Sequence, residues 1–138
     1  MAYDTNNIFA KILRGEAPCI KVYEDDKTFA FMDVMPQAEG HVLVIPKTPA
    51  ENLFELPADD YAALAETTQK IAGAVKRAIG SPGLMIAQLN GAEAGQTVFH
   101  IHNHVIPRWS GIEMKLHARE MADMNVLEEQ AQKIRAEL

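Results

Sequence analysis

Three of the chain's five histidines stand two residues apart, in Val98-Phe99-His100-Ile101-His102-Asn103-His104-Val105-Ile106. On a β-strand, residues i, i+2 and i+4 share a face, so the spacing predicts that His100, His102 and His104 point the same way, about 6.5–7 Å apart at each step. Phe99, Ile101 and Val105 then point into a core. Three imidazoles are a costly way to fill an interior, because each ring brings two nitrogens that need partners. Two kinds of chemistry fit better. His-x-His on a strand can offer two nitrogen ligands to a metal ion. Alternatively, one neutral imidazole attacks an electrophile while its neighbours steady the charge on the reacting group.

The residues just upstream bear on that choice. Asn90-Gly91-Ala92-Glu93-Ala94-Gly95-Gln96-Thr97 holds glycines that let backbone N–H groups approach an oxyanion, then an amide and a hydroxyl that can donate hydrogen bonds. Such a loop is common on surfaces. Directly before three aligned histidines, it suits a phosphate.

The rest of the chain must position these groups. Ile8, Phe9, Ile12 and Leu13 form one apolar stripe behind the candidate caps Asp4, Thr5 and Asn6, and Gly15 closes it, which predicts a short helix. Strand-like runs follow at Ile20 to Tyr23, Thr28 to Met32 and His41 to Pro46, separated by acidic or Pro/Gly-containing turns. From Pro57 to Ile79, Tyr61, Leu64, Thr68, Ile71, Val75 and Ile79 keep helical spacing, with Gly80 just past the end. Two more strands are expected, from Leu84 to Asn90 and from about Gln96 to Ile106. Met124, Leu127, Ala131, Ile134 and Leu138 predict an amphipathic C-terminal helix. With no βαβ rhythm, the fold class is α+β.

Composition narrows the function classes. The 138 residues are one domain's worth of chain, 48% apolar and 23% charged, enough to bury a core. Thirteen basic against nineteen acidic residues give a net charge of −6, with no basic cluster, which argues against a nucleic acid polymer or an anionic membrane as partner. Cys19 is the only cysteine, so no internal disulfide or thiolate zinc cage can form, and a reducing cytoplasm fits. No apolar run reaches the ~20 residues of a membrane span, and the N-terminus lacks a secretory apolar region. A soluble, cytoplasmic chain of one domain, 1–138, is expected.

The segment Gly95 to Arg108 resembles the signature of the histidine triad (HIT) superfamily, His-φ-His-φ-His-φ-φ with φ apolar. Asn6 to Ile12, Tyr23 to Asp26, Ala30 to Val34 and Gly40 to Lys47 are similar to the other blocks of its nucleotide-binding Hint-like branch, of bacterial type. The similarity runs from about residue 6 to 109 and leaves 110–138 as an unmatched tail. It implies a five-stranded antiparallel sheet with one long and one short helix, paired as a homodimer. It also implies hydrolysis of purine nucleoside 5′-phosphoramidates or aminoacyl adenylates through a covalent nucleotidyl-histidine. The alternatives are a dinucleoside polyphosphate hydrolase using the same residues, a nucleotide-binding regulatory protein with weak catalysis, and a metal-dependent hydrolase.

The resemblance also assigns roles. His102 would be the nucleophile, with a backbone carbonyl near the first triad residue setting its tautomer. His104 would bind and polarise the phosphate, His100 would support the site, and His41 would be a further active-site histidine. Thr97 would assist the leaving group, and Gln96 would hold phosphate oxygens. Asp33 would accept hydrogen bonds from the ribose hydroxyls, with Asn90 close to ribose and phosphate. Ile8, Phe9, Ile12, Phe31 and Val34 would line the purine slot. The partners implied are a purine nucleoside monophosphate and its P–N or P–O conjugates.

The sequence departs from the family pattern in three ways. Asn103 fills an apolar φ position, so its amide is expected to seek a partner at the surface or at a subunit contact. Many bacterial relatives hold a structural zinc with two cysteines and two histidines. Here those positions read Asn7, Ala10, Pro49 and His100, so no metal and no cofactor is expected. The tail from Ser110 does not match the short C-terminus of animal Hint proteins.

Overall fold

The computed structural model describes residues 3–113 and 121–138. Asn7 caps the first helix, α1 (Ile8–Leu13), its side-chain oxygen accepting from the Ala10 N–H at 2.9 Å. The cap thus lies one residue beyond Asp4, Thr5 and Asn6. Strands β1 (Lys21–Glu24), β2 (Thr28–Met32) and β3 (Val42–Pro46) follow. Asp25 makes the first reversal, its Oδ1 accepting from the Lys27 and Thr28 N–H groups and from the Thr28 hydroxyl at 2.8–2.9 Å. The long helix α2 (Ala58–Ile79) starts after Pro57 and stops at Gly80, whose φ of 75° ends it in the left-handed region. After it come β4 (Gly83–Gln88), a 3-10 turn at Ala92–Ala94, β5 (Asn103–Arg108) and α3 (Met124–Arg135).

The strands make one antiparallel sheet in the order β1-β2-β3-β5-β4. On one face Ala30, Met32, Val44 and Val105 pack with Leu64 and Ile71 of α2 and Leu127 and Ile134 of α3. The other face carries Phe29, Phe31, Leu43 and Ile45, closed by Phe9 of α1. That is the expected α+β class, with α2 and α3 on one side of the sheet and the short helix on the other.

The histidine strand is shorter than its spacing predicts. It begins at Asn103 rather than Gln96, so His104 alone of the three lies on β5. The neighbouring strand explains this. β3 pairs with β5 from Val42 to Val44, but Pro46 has no N–H to extend the ladder, and its carbonyl accepts from His100 Nε2 at 2.8 Å. Ile101 donates its N–H to the Ala50 carbonyl instead. The partner strand β4 likewise ends at Gln88, opposite Asn103, and not at Asn90.

Asn103 is buried inside the chain, against the expectation of a surface or subunit partner. Its Oδ1 accepts from Gln88 Nε2 at 2.7 Å, and its Nδ2 donates to Thr68 Oγ1 of α2 at 3.0 Å. The C-terminal helix forms as predicted and buries Leu127, Ala131 and Ile134 completely, while Met124 and Leu138 stay exposed. Its entry is tied to the β2–β3 loop, where the Ala122 N–H donates to the Val34 carbonyl at 2.9 Å. A second tie is the Gly40 N–H, which donates to Gln130 Oε1 at 3.1 Å. No described helix is long and apolar enough to cross a membrane.

Candidate active site

Rigid backbone carbonyls and N–H groups set the histidine ring orientations, and from those partners the tautomers follow. His102 Nδ1 lies 2.7 Å from the His100 carbonyl, which can only accept, so Nδ1 carries the proton and Nε2 keeps its lone pair. The Gln37 N–H donates to His41 Nδ1 at 2.9 Å, which puts the His41 proton on Nε2. That Nε2 lies 3.0 Å from His104 Nδ1 and 3.4 Å from Asp33 Oδ2. His104 therefore accepts on Nδ1 and carries its own proton on Nε2. Among the described residues, neither the His102 Nε2 lone pair nor the His104 Nε2–H has a hydrogen-bond partner, and both rings line one cavity. Their centroids are 5.0 Å apart.

Burial keeps these rings neutral. Desolvation, with the nearby histidines adding to it, lowers His41 to about 3 and His104 to about 4. It lowers His102 as well, against the opposing pull of the His100 carbonyl. His100 falls to about 4 and sits outside the cavity, donating to Pro46 and accepting from the Tyr3 hydroxyl at 2.5 Å. Asp33 is the opposite case. Burial pushes its carboxyl up to about 6, although the Met35 N–H donates to Oδ1 at 2.8 Å.

The cavity has a volume of about 970 Å³, near the upper end of small-molecule sites. Ile8, Phe9, Ile12, Phe31 and Val34 all line it, together with Asp33, Thr97, His102 and His104. Gly95, with a φ of 101° that favours glycine, turns the loop into it beside Thr97.

Two residues expected at the nucleotide do not reach the cavity. Gln96 is buried, its Oε1 accepting from the Gly91 N–H and its Nε2 donating to the Glu51 and Val98 carbonyls. Asn90 accepts from the Leu53 N–H and donates to Gln88 Oε1. Both amides are consumed in shaping the loop. In return, the cavity wall contains residues that motif reasoning missed. Pro18, Cys19 and Ile20 come from the approach to β1, and Met121, Met124 and Glu128 from the C-terminal segment. Ile20 and Met124 are marked in the sequence only as the starts of a strand-like run and of the α3 stripe, and Cys19 only as the chain's one thiol, so none of them is marked as lining a site.

Two arrangements bear on metal binding. At the zinc positions of bacterial relatives, Asn7, Ala10 and Pro49 accompany a His100 whose two nitrogens are both hydrogen-bonded, so these residues do not fit such an ion. Among the described residues, ligand atoms of Asp33, His41 and His104 lie within 4.8 Å of one another. There too a metal would have to displace the proton that the Gln37 N–H confines to His41 Nε2.

Residues 14–111 match the HIT domain family. The chain belongs to that family. HIT relatives include the adenylylsulfatase HINT3 of Arabidopsis thaliana, 39% identical over 117 residues. That match covers 80% of this chain and 59% of HINT3, so the chain spans less than two thirds of that protein's length. The adenosine 5′-monophosphoramidase hnt1 of Schizosaccharomyces pombe is 40% identical over 101 residues, 73% of each protein. Among solved HIT structures, a Hit-like protein of Bartonella henselae, described as involved in cell-cycle regulation and carrying an unknown ligand, is 49% identical. It superposes with a TM-score of 0.93, covering 99% of this chain and 100% of that one. The similarity therefore includes the C-terminal tail, which the family motifs do not reach.

Proposed function

We propose that this HIT chain is a nucleotidyl hydrolase that cleaves purine nucleoside 5′-phosphoramidates or aminoacyl adenylates through a covalent nucleotidyl group on His102. The observation that carries this reading is the pair of tautomers, a lone pair on His102 Nε2 next to an N–H on His104 Nε2. The first attacks the α-phosphorus and the second donates to a non-bridging oxygen, where negative charge grows. The P–N or P–O bond breaks; a departing amine takes a proton relayed from solvent water through the Thr97 hydroxyl, and a departing carboxylate leaves as the anion. Water then displaces the histidine, so phosphorus inverts twice and the nucleoside monophosphate is released.

The remaining groups bind and orient. Asp33 accepts from the ribose hydroxyls, and the α1 and β2 side chains sandwich the purine. His41 acts one step back, holding the His104 proton on the outward nitrogen. His100 orients His102 through its carbonyl, and Gln96 and Asn90 hold the phosphate loop. The chain acts as one domain, in a homodimer formed along the free edge of β4.

Turnover of adenosine and guanosine 5′-phosphoramidates, beside diadenosine polyphosphates, tests the reading. The phosphoramidates should have the higher kcat/KM, and His102→Ala should lose about 10³-fold or more in kcat. Undiminished turnover in that variant overturns the mechanism.

A further inference from the structure

Among the described residues, the cavity wall holds two carboxylates, Asp33 beside the histidines and Glu128 on α3. They lie at different ends. Strand register places His104 of β5 opposite Leu43 of β3, Leu43 opposite Phe31 of β2, and Phe31 opposite Lys21 of β1. At about 4.8 Å per strand, that row spans roughly 14 Å. Arg135 occupies its far end, donating from Nε and Nη2 to the Lys21 carbonyl at 2.8 and 2.6 Å. From Nη1 it donates to Glu128 Oε1 at 2.9 Å. Anchored in this way, the Glu128 carboxylate stands beside the outer strand, three strands from the histidines, and still lines the same cavity. The Arg135 guanidinium holds its carboxyl below the usual carboxylate range, so it is a pure acceptor at neutral pH.

The next step rests on the proposed function. A nucleotide with its phosphate at His102 and His104 runs along this row, lays its purine over Phe31 and directs the far edge of the base toward α3. We propose that Glu128 reads the Watson–Crick edge of the base and makes the site select guanine over adenine. Guanine presents two adjacent donors there, N1–H and the N2 amino group, which match the two oxygens of a carboxylate. Adenine presents an acceptor at N1, which a carboxylate repels. Hypoxanthine keeps N1–H but lacks the amino group, so it ranks between them. Met121 and Met124 line the same cavity as Glu128 and add adaptable apolar surface that suits a ring edge.

Calorimetric affinities for GMP, IMP and AMP, beside kcat/KM for guanosine and adenosine 5′-phosphoramidate, test the proposal in wild type and Glu128→Gln. Wild type should bind in the order GMP, IMP, AMP, with about tenfold or more between the first and last. In Glu128→Gln the guanosine-to-adenosine ratio should fall by about that factor, with the loss falling on guanosine. A structural role for Glu128 would lower both substrates alike and leave the ratio unchanged. An unchanged ratio, or equal or reversed affinities in wild type, overturns the proposal. If neither phosphoramidate is cleaved, the hydrolase reading fails, and the three affinities still decide the role of Glu128.

Discussion

At the scale of single residues, protons do most of the organising. The Gln37 N–H sets His41, His41 sets His104, and the His100 carbonyl sets His102. The identities of the four histidines could be read from the sequence, because strand spacing and the flanking blocks mark them. The roles of Gln96 and Asn90 could not, since a loop amide serves a ligand or its own loop with equal chemistry, and only the fold decides which. Asp33 stands out for its raised carboxyl. Because its folded value of about 6 exceeds the ordinary 3.8, its contribution to stability is complete below pH 3.8 and is lost as the pH rises through 6. Asp33→Asn, which can still accept from the Met35 N–H, should therefore stabilise the chain by about 2 kcal/mol at pH 7 in thermal or urea unfolding. The same variant should bind nucleotide more weakly. In wild type, kcat/KM should drop below about pH 6 as Asp33 takes up its proton, and Asp33→Asn should lack that acid limb. His41 and His104, lowered to about 3 and 4, do not supply that limb, and burial lowers the His102 ring as well.

At the scale of elements, periodicity located the helices well because each presents a clear apolar stripe to the sheet. It misjudged the length of β5 because alternation in 98–106 describes side chains, whereas a strand also requires a partner with N–H groups to offer. Pro46 withholds one, and the ladder stops. The segment 97–102 is thereby released from the sheet, and His100 can bury its ring against the end of β3. Asn103 marks the first rung of β5 and joins three elements through Gln88 and Thr68. Asn103→Ala would remove one partner each from the half-buried Gln88 amide and the buried Thr68 hydroxyl, which keeps its bond to the Leu64 carbonyl, and should cost about 1 kcal/mol in chemical unfolding. Because β5 carries His104, catalytic turnover should fall with it.

At the scale of the whole molecule, a net charge of −6 coexists with a proposed site for a phosphate. The two are compatible because the phosphate is met by local N–H groups, neutral imidazoles and a hydroxyl, so the distant surface charge matters little. The tail beyond residue 110 carried no family motif, yet it supplies α3 to the core and Glu128 to the cavity. The described part of the tail thus belongs to both the core and the cavity wall. The edge strand β4 has β5 as its one neighbour in the sheet and exposes Ile86 at 47%. Light scattering should give twice the 15.3 kDa chain mass if two copies pair there. The covalent step is tested by mass spectrometry of enzyme quenched during turnover of a nucleoside phosphoramidate. Quenching should be alkaline, since a P–N bond to histidine is labile in acid. A nucleoside monophosphate adduct on the peptide containing His102, absent in His102→Ala, is the predicted result. Steady turnover with no adduct on that peptide, or an adduct on another residue, would contradict it.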